Sequence, residues 1–306
     1  MKKIIILLTT LFLFTSCSIT PLIAKGTKNR KITILEQKSL MFSDKRDIPF
    51  EGVSDLTYNS KTNRLYMVGD RGYLYSFYAK FSNKIDKLKY LNAFHIKTPK
   101  NRVIHPDIEG LTHNPKGQLI ASFERRPRVK QITKYGKLKI NYNIPKKLRK
   151  ISIYKSRNSM FESVAYHPKY GLLVASEYPI NRQKNTHQSI YSLNGKEWKF
   201  KAQNYPNSAV TALEIMSDGN ILVLERAYNG LYNPFYITLK KVYLNRCDNN
   251  HNCKSEVLAT FSSSDGWGYN NFEGLAKVGK DRFVMVSDNN GHSFISTVLL
   301  YFKVNL

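Results

Sequence analysis

Carboxylates are scarce in this chain and unevenly placed. Only 22 of its 306 residues are Asp or Glu, against 48 Lys and Arg, yet nine of the 22 fall in one recurring unit. The unit reads apolar residue, glutamate, glycine or serine, turn, apolar run, closing acid. Its glutamates are Glu109, Glu162, Glu214 and Glu273, at intervals of 53, 52 and 59 residues. Its closing acids are Asp70, Glu124, Glu177, Glu225 and Asp288. An irregular first copy, Val53-Ser54-Asp55-Leu56, has Ser54 in the glutamate's place and Glu51 three residues earlier.

Two chemistries suit such a repeat. Carboxylates projected toward one axis repel one another, and protonation or a bound cation relieves the repulsion. Hard cations such as Ca²⁺ and Mg²⁺ take oxygen ligands of this kind. A residue that recurs in every unit can instead be scaffold, accepting backbone N–H bonds from neighbouring units and fastening them.

Departures from the repeat are therefore the places to look for function. The slot two residues before the glutamate, on the same strand face, holds Asp107 and Asn271 in two units but Met160 and Ala212 in the others. A metal site is expected among Asp107, Glu109, Asn271, Glu273 and Glu51, with Ca²⁺ as the ion and Ser54 and Asp55 in range. Arg71, Arg125 and Arg226 directly follow closing acids. Their planar forks suit phosphate or carboxylate, or equally an acid of the next unit. His105, just before Pro106-Asp107, is the candidate general base. His113-Asn114-Pro115 and Tyr166-His167-Pro168 fall in equivalent turns and read as structural. There is no G-x-S-x-G elbow and no phosphate-binding glycine loop.

The elements that position these residues are strands. Apolar runs at 65–68, 119–123, 172–175, 221–224 and 283–286 are short, rich in β-branched and aromatic residues and bounded by turns. Alternating pairs follow, at 129–134 and 138–144 around Tyr135-Gly136, and at 188–193 and 198–203 around Asn194-Gly195, a hairpin signal. Four antiparallel strands per period of about 50 residues predict the blade of a β-propeller. The last unit offers only three strands, ending at 296–304, while 31–42 is an orphan strand; pairing the two would close the ring. The expectation is an all-β propeller of five four-stranded blades. Six is the alternative if the connections at 79–96 and 227–261 hide further strands.

The units Val53-Ser54-Asp55-Leu56 with Val68-Gly69-Asp70-Arg71-Gly72, Asp107-Ile108-Glu109-Gly110-Leu111, Phe161-Glu162-Ser163, and Asn271-Phe272-Glu273-Gly274-Leu275 with Ser287-Asp288-Asn289 resemble the phytase-like family, an exported bacterial domain named for an esterase-like activity of phytase. The resemblance covers roughly residues 45–303. It implies a propeller, export, and hydrolysis of a phosphoester or related ester. Two other classes stand beside that expectation: a non-catalytic envelope module that binds an anionic ligand or partner protein, and a sugar-lactonase-like hydrolase.

Compartment and partners complete the expectations. Lys2-Lys3, an apolar run at 4–14 and Thr15-Ser16-Cys17 form an export signal, its apolar run too short to span a bilayer as a mature helix. Phe14-Thr15-Ser16-Cys17 is similar to a bacterial lipobox, which makes Cys17 the lipidated N-terminus of a membrane-anchored lipoprotein. Cleavage after Ala24 is the soluble, non-lipidated alternative. This divides the chain into a signal peptide (1–17), a tether (18–30) and a propeller domain (31–306). Cys247 and Cys253 flank a polar loop and are expected to pair in an oxidising compartment. The rival is a metal site with His251, which lacks the second half of a zinc signature. The formal net charge of +26 should attract anions, and by itself allows phosphorylated small molecules, anionic lipid, lipopolysaccharide and nucleic acid alike; the expected partner of this monomer is a small anionic or phosphorylated molecule, and nucleic acid is not expected.

Overall fold

The computed structural model describes residues 31–180, 186–230, 232–267, 270–290 and 296–305. The export signal, Cys17, Gly291 and His292 lie outside them. No helix among the described residues is long and apolar enough to cross a membrane.

Every apolar run singled out in the sequence is the second strand of an antiparallel meander. The first meander is β2 (Val53–Asn59), β3 (Arg64–Gly69), β4 (Tyr73–Phe81) and β5 (Ile85–His95). The second is β6 (Ile108–His113), β7 (Leu119–Phe123), β8 (Arg128–Ile132) and β9 (Leu138–Tyr142). The third is β10 (Phe161–His167), β11 (Gly171–Ser176), β12 (His187–Ser192) and β13 (Glu197–Lys201). The fourth is β14 (Ser208–Ile215), β15 (Ile221–Ala227), β16 (Tyr236–Cys247) and β17 (Asn252–Ser262). Three further strands, β18 (Asn271–Lys277), β19 (Arg282–Asp288) and β20 (Thr297–Val304), take β1 (Ile32–Leu40) as their fourth, antiparallel to β20. The two long connections thus hold the outer strands of their own meanders.

These strands form three four-stranded sheets and one eight-stranded sheet. In the latter, the third and fourth meanders join through a short parallel pairing of β13 with β17, at Lys199–Asn252 and Phe200–Cys253. The Cys247–Cys253 disulfide closes the β16–β17 tip beside this pairing. The loop it closes offers the His251 carbonyl to the Lys199 amide at 2.8 Å.

Burial explains the arrangement. β7 is buried at every position, whereas β9 buries Leu138 and exposes the next three residues. First strands lie side by side in cyclic order: β2 beside β6, then β10, β14, β18 and β2 again. Five apolar clusters fill the spaces between consecutive meanders. A sheet with two apolar faces must bury both, and a ring of such sheets is a propeller.

Seams between first strands are tight. A Cβ on Gly110 would lie 2.6 Å from the Val164 nitrogen, and one on Gly274 would lie 2.7 Å from the Asp55 Cα. The glycine after the glutamate is there for the neighbouring backbone. Asp55 fastens the same place, its Oδ2 accepting from Leu111 N at 2.7 Å and its Oδ1 from Leu275 N at 3.1 Å. It is therefore committed to both neighbouring strands rather than free to ligate an ion.

Candidate acidic site at one mouth of the channel

Each first strand carries one β-bulge near its start, seen as a register shift between Val53 and Asp55, Ile108 and Gly110, Phe161 and Ser163, Val210 and Ala212, and Phe272 and Gly274. A bulge takes one residue out of the ladder and re-aims its side chain. The bulged residues are Ser54, Glu109, Glu162, Thr211 and Glu273. Glu214 lies three residues further on. In the fourth meander the repeat interval points to the nearest glutamate along the strand, whereas the bulge is at Thr211 and the slot two before it is Ala209, not Ala212.

A second ring sits across from the first. The residue closing each second strand pairs with the residue two before the bulge: Asp70 with Gly52, Glu124 with Asp107, Glu177 with Met160, Arg226 with Ala209, and Asp288 with Asn271. Arg226, rather than Glu225, holds the fourth position. Glu225 turns away to a buried pair with Lys240 (2.5 Å) and accepts from Gln203 N at 3.1 Å.

The mouth therefore gathers seven carboxylates from the two rings, plus Asp107, around one interior arginine. Three oxygens, from Asp107, Glu109 and Glu124, lie within 4.8 Å of one another; so do three from Glu124, Glu162 and Glu177. Arg226 donates to Glu177 Oε1, Glu273 Oε1 and Asn271 Oδ1, each at 2.9 Å. Asn271 Nδ2 also donates to Glu273 at 2.7 Å. Asn271 and Glu273 thus stand on the guanidinium's side, and Asp107 and Glu109 on the side of the carboxylate triplets.

Of the two readings of the repeat glutamates, the scaffold one fits Glu214, whose Oε2 accepts from Lys277 N at 2.9 Å on the neighbouring strand. By contrast, no hydrogen-bond donor reaches the carboxylate of Glu109 or Glu162 among the described residues. Buried carboxylates without donors need a proton or a cation.

Electrostatics agree. Burial first, then Glu162 and Glu273, push the Glu109 carboxyl well above its ordinary range. Glu162 is raised by burial and then Glu177, although Arg226 pulls it back. Burial, with Asp107 and Glu177, brings Glu124 to about 8. Glu273 also reaches about 8, through burial and against the pull of Arg226. Asp288 reaches about 6 through burial, with Asp70 adding to the rise. Burial opposes the charge of Arg226, but Glu273, Glu162 and Glu177 outweigh it and drive its pKa upward.

The other expected residues stand at the rim. Arg125 Nε lies 2.6 Å from Asp107, and Arg71 lies 2.5 Å from Glu51. His105 Nδ1 is 3.1 Å from the Arg71 carbonyl. Arg226 pairs with acids of both neighbouring meanders, whereas Arg125 and Arg71 pair within their own. The repeat marks Glu162 as a repeat acid and Glu124 and Glu177 only as closing acids, so spacing along the chain does not bring the three together; the structure does. One signal was available: Val210-Thr211-Ala212 repeats the apolar-polar-small order of Ile108-Glu109-Gly110.

The profile of the phytase-like family, described as esterase-like activity of phytase, matches residues 48–291. The chain belongs to that family. No curated protein matches it. Solved structures similar to it include a luciferin-regenerating enzyme (12% identity, 84% of this chain and 92% of that one, TM-score 0.41). Virginiamycin B lyase from Staphylococcus aureus is another (10%, 90% and 100%, 0.41), as is a PQQ-bound aldose sugar dehydrogenase from Streptomyces coelicolor (9%, 92% and 100%, 0.41). At such scores these likenesses bear on no chemistry.

Proposed function

We propose that this phytase-like protein is a five-bladed propeller that hydrolyses a phosphoester or related anionic ester at its acidic mouth, with a divalent cation, Ca²⁺, held by carboxylates. Counting the eight-stranded sheet as two blades joined along their outer strands gives five blades, the last completed by β1. The observation that carries the functional reading is the pair of carboxylate triplets sharing Glu124, in which no donor among the described residues reaches Glu109 or Glu162. Asp107, Glu109, Glu124, Glu162 and Glu177 would hold the ion, an all-oxygen set of the kind calcium takes. With the ion bound, these carboxylates would hold a Lewis acid that would polarise an ester oxygen and lower the pKa of a neighbouring water.

The chain's own residues do the rest. Arg226, clamped by Glu177 and Glu273, sets a fixed positive charge beside the triplets, where an anionic group would otherwise meet only acids. Arg125 and Arg71 sit at the mouth with more than half of their side chains exposed, at 69% and 53%. Each can leave its carboxylate for a phosphoryl oxygen at little cost, because exposed ion pairs contribute about 0–1 kcal/mol. His105 stands at the same rim as the group to take or give a proton. The same reading places the protein outside the cytoplasm, where the Cys247–Cys253 bond persists, anchored through lipid on Cys17 and acting as a monomer on a small anionic substrate.

The test is turnover on a panel of phosphomonoesters, carboxylic esters and lactones, with and without Ca²⁺, Mg²⁺ or Mn²⁺. Chelator-sensitive hydrolysis, lost in Glu109→Gln and Glu124→Gln while their thermal midpoints are retained, is expected. Absence of turnover together with salt-sensitive retention by anionic lipid or polysaccharide would replace the enzyme with a binding module.

A further inference from the structure

The channel has a second mouth, at the opposite ends of the first strands, and its chemistry is inverted. A cavity of about 530 Å³ opens there, lined by residues from all five meanders. That volume lies within the range of small-molecule pockets.

Its wall is built from the seams. Thr57 Oγ1 lies 2.8 Å from His113 Nδ1 on the next strand, Thr112 Oγ1 accepts from Tyr166 N at 3.3 Å, and Glu214 accepts from Lys277 N at 2.9 Å. These contacts consume the wall's acid. Both Glu214 oxygens are taken by amides, Lys277 N and Ile215 N. The wall's imidazole stays half satisfied: His113 Nε2 has no hydrogen-bond partner among the described residues. Burial lowers the pKa of that ring, so near neutrality it is an uncharged imidazole that can donate or accept.

Cations crown this mouth. Lys61, Lys116, Lys169 and Lys280 sit in four of the five turns that join first to second strands, all exposed, and Lys277 lines the cavity. None of the five forms an ion pair among the described residues. The fifth turn carries Asp218, which is held by Lys241 at 2.6 Å. Tyr166, Ile215 and the turn prolines Pro115 and Pro168 supply apolar surface inside the ring of lysines.

We infer that this second mouth is a binding site for a compact organic anion. A phosphate or carboxylate would be held by Lys277 and Lys280, its apolar body against Tyr166 and Ile215, and a polar substituent within reach of His113. The site is separate from the acidic mouth. Positive charge alone would draw any anion, whereas a walled cavity with apolar surface selects one that carries a body.

Calorimetric titration of the protein in EDTA tests the inference and keeps it independent of any cation-dependent hydrolysis. The probes are phenylphosphonate and benzoate, which distinguish the two anionic groups, and inorganic phosphate. The expected result is one saturable site per chain for at least one aromatic anion, at least tenfold tighter than inorganic phosphate. Binding should fall at least tenfold in Lys277→Met/Lys280→Gln and stay unchanged in Glu124→Gln. If the double variant does not fold, Lys280→Gln alone, an exposed change, should weaken binding at least threefold. Lack of saturable binding by the wild-type protein, no preference over inorganic phosphate, or a loss in Glu124→Gln instead of the lysine variants would overturn the inference.

Discussion

At the scale of single residues, the bulge decides what each carboxylate does. Asp55 and Glu214, which stay in the ladder, reach neighbouring amides and act as fasteners. Glu109 and Glu162 leave the ladder at bulges and meet mostly other carboxylates. This has a consequence in pH. Glu124 and Glu273 are raised to about 8 and Asp288 to about 6, from ordinary values of 4.5, 4.5 and 3.8. Between those limits the folded chain binds more protons than the unfolded chain. The stability these three groups contribute without metal is then fully present below about pH 4 and is lost as pH rises through about 6 to 8. A cation that replaces those protons acts in the opposite sense, contributing about 2.7 kcal/mol at a hundredfold excess over its Kd. Thermal scans should show the midpoint in EDTA falling from pH 5 to pH 8, and Ca²⁺ raising it more at pH 8 than at pH 5. A midpoint indifferent to Ca²⁺ at pH 8 would count against a cation at Glu109 and Glu124.

At the scale of elements, the seam between first strands sets residue size. Gly274 faces Asp55 across β18 and β2, where a Cβ would lie 2.7 Å from backbone. The Asp55 to Leu275 bond crosses at the same place. Overpacking of this kind costs about 1–3 kcal/mol. Gly274→Ala is expected to lower the unfolding free energy by that amount, read as a lower denaturant midpoint with an unchanged slope; a neutral result would mean that the seam can open. The seam between the third and fourth meanders is held differently. Lys240, buried, reaches both Glu225 and the Lys201 carbonyl, at 2.5 and 2.7 Å, while the β13–β17 pairing and the disulfide hold its outer edge.

At the scale of the whole molecule, closure depends on β1. Its pairing with β20 runs from Ile32–Val304 to Leu40–Thr297, and Ile32 and Leu40 belong to different inter-sheet clusters, one on each side of the last sheet. Removing residues 1–40 would expose β20, whose Leu299 to Phe302 are fully buried, as a long apolar edge. The shortened chain is expected to aggregate or to lose its cooperative thermal transition. A monomer with an unchanged midpoint would show that the ring closes without β1. Charge, too, has a pattern only at this scale, for an acid-rich chemistry at one mouth faces a crown of lysines at the other.

The repeat, the strands, the closing strand and the cysteine pairing were legible in the sequence because each is local: an apolar period of two, a turn residue, or a fixed interval. The phytase-like resemblance was carried by the same local units. Register was not legible, since a bulge is a statement about two strands at once and shifting a pairing by one residue turns every side chain to the other face. In the fourth meander this hid two facts: Thr211 replaces the glutamate, and Arg226 replaces the closing acid. Only the tertiary structure could place that arginine between Glu177 and Glu273, residues 49 and 47 positions away in the chain, because contact across neighbouring meanders follows from ring closure and not from spacing along one strand.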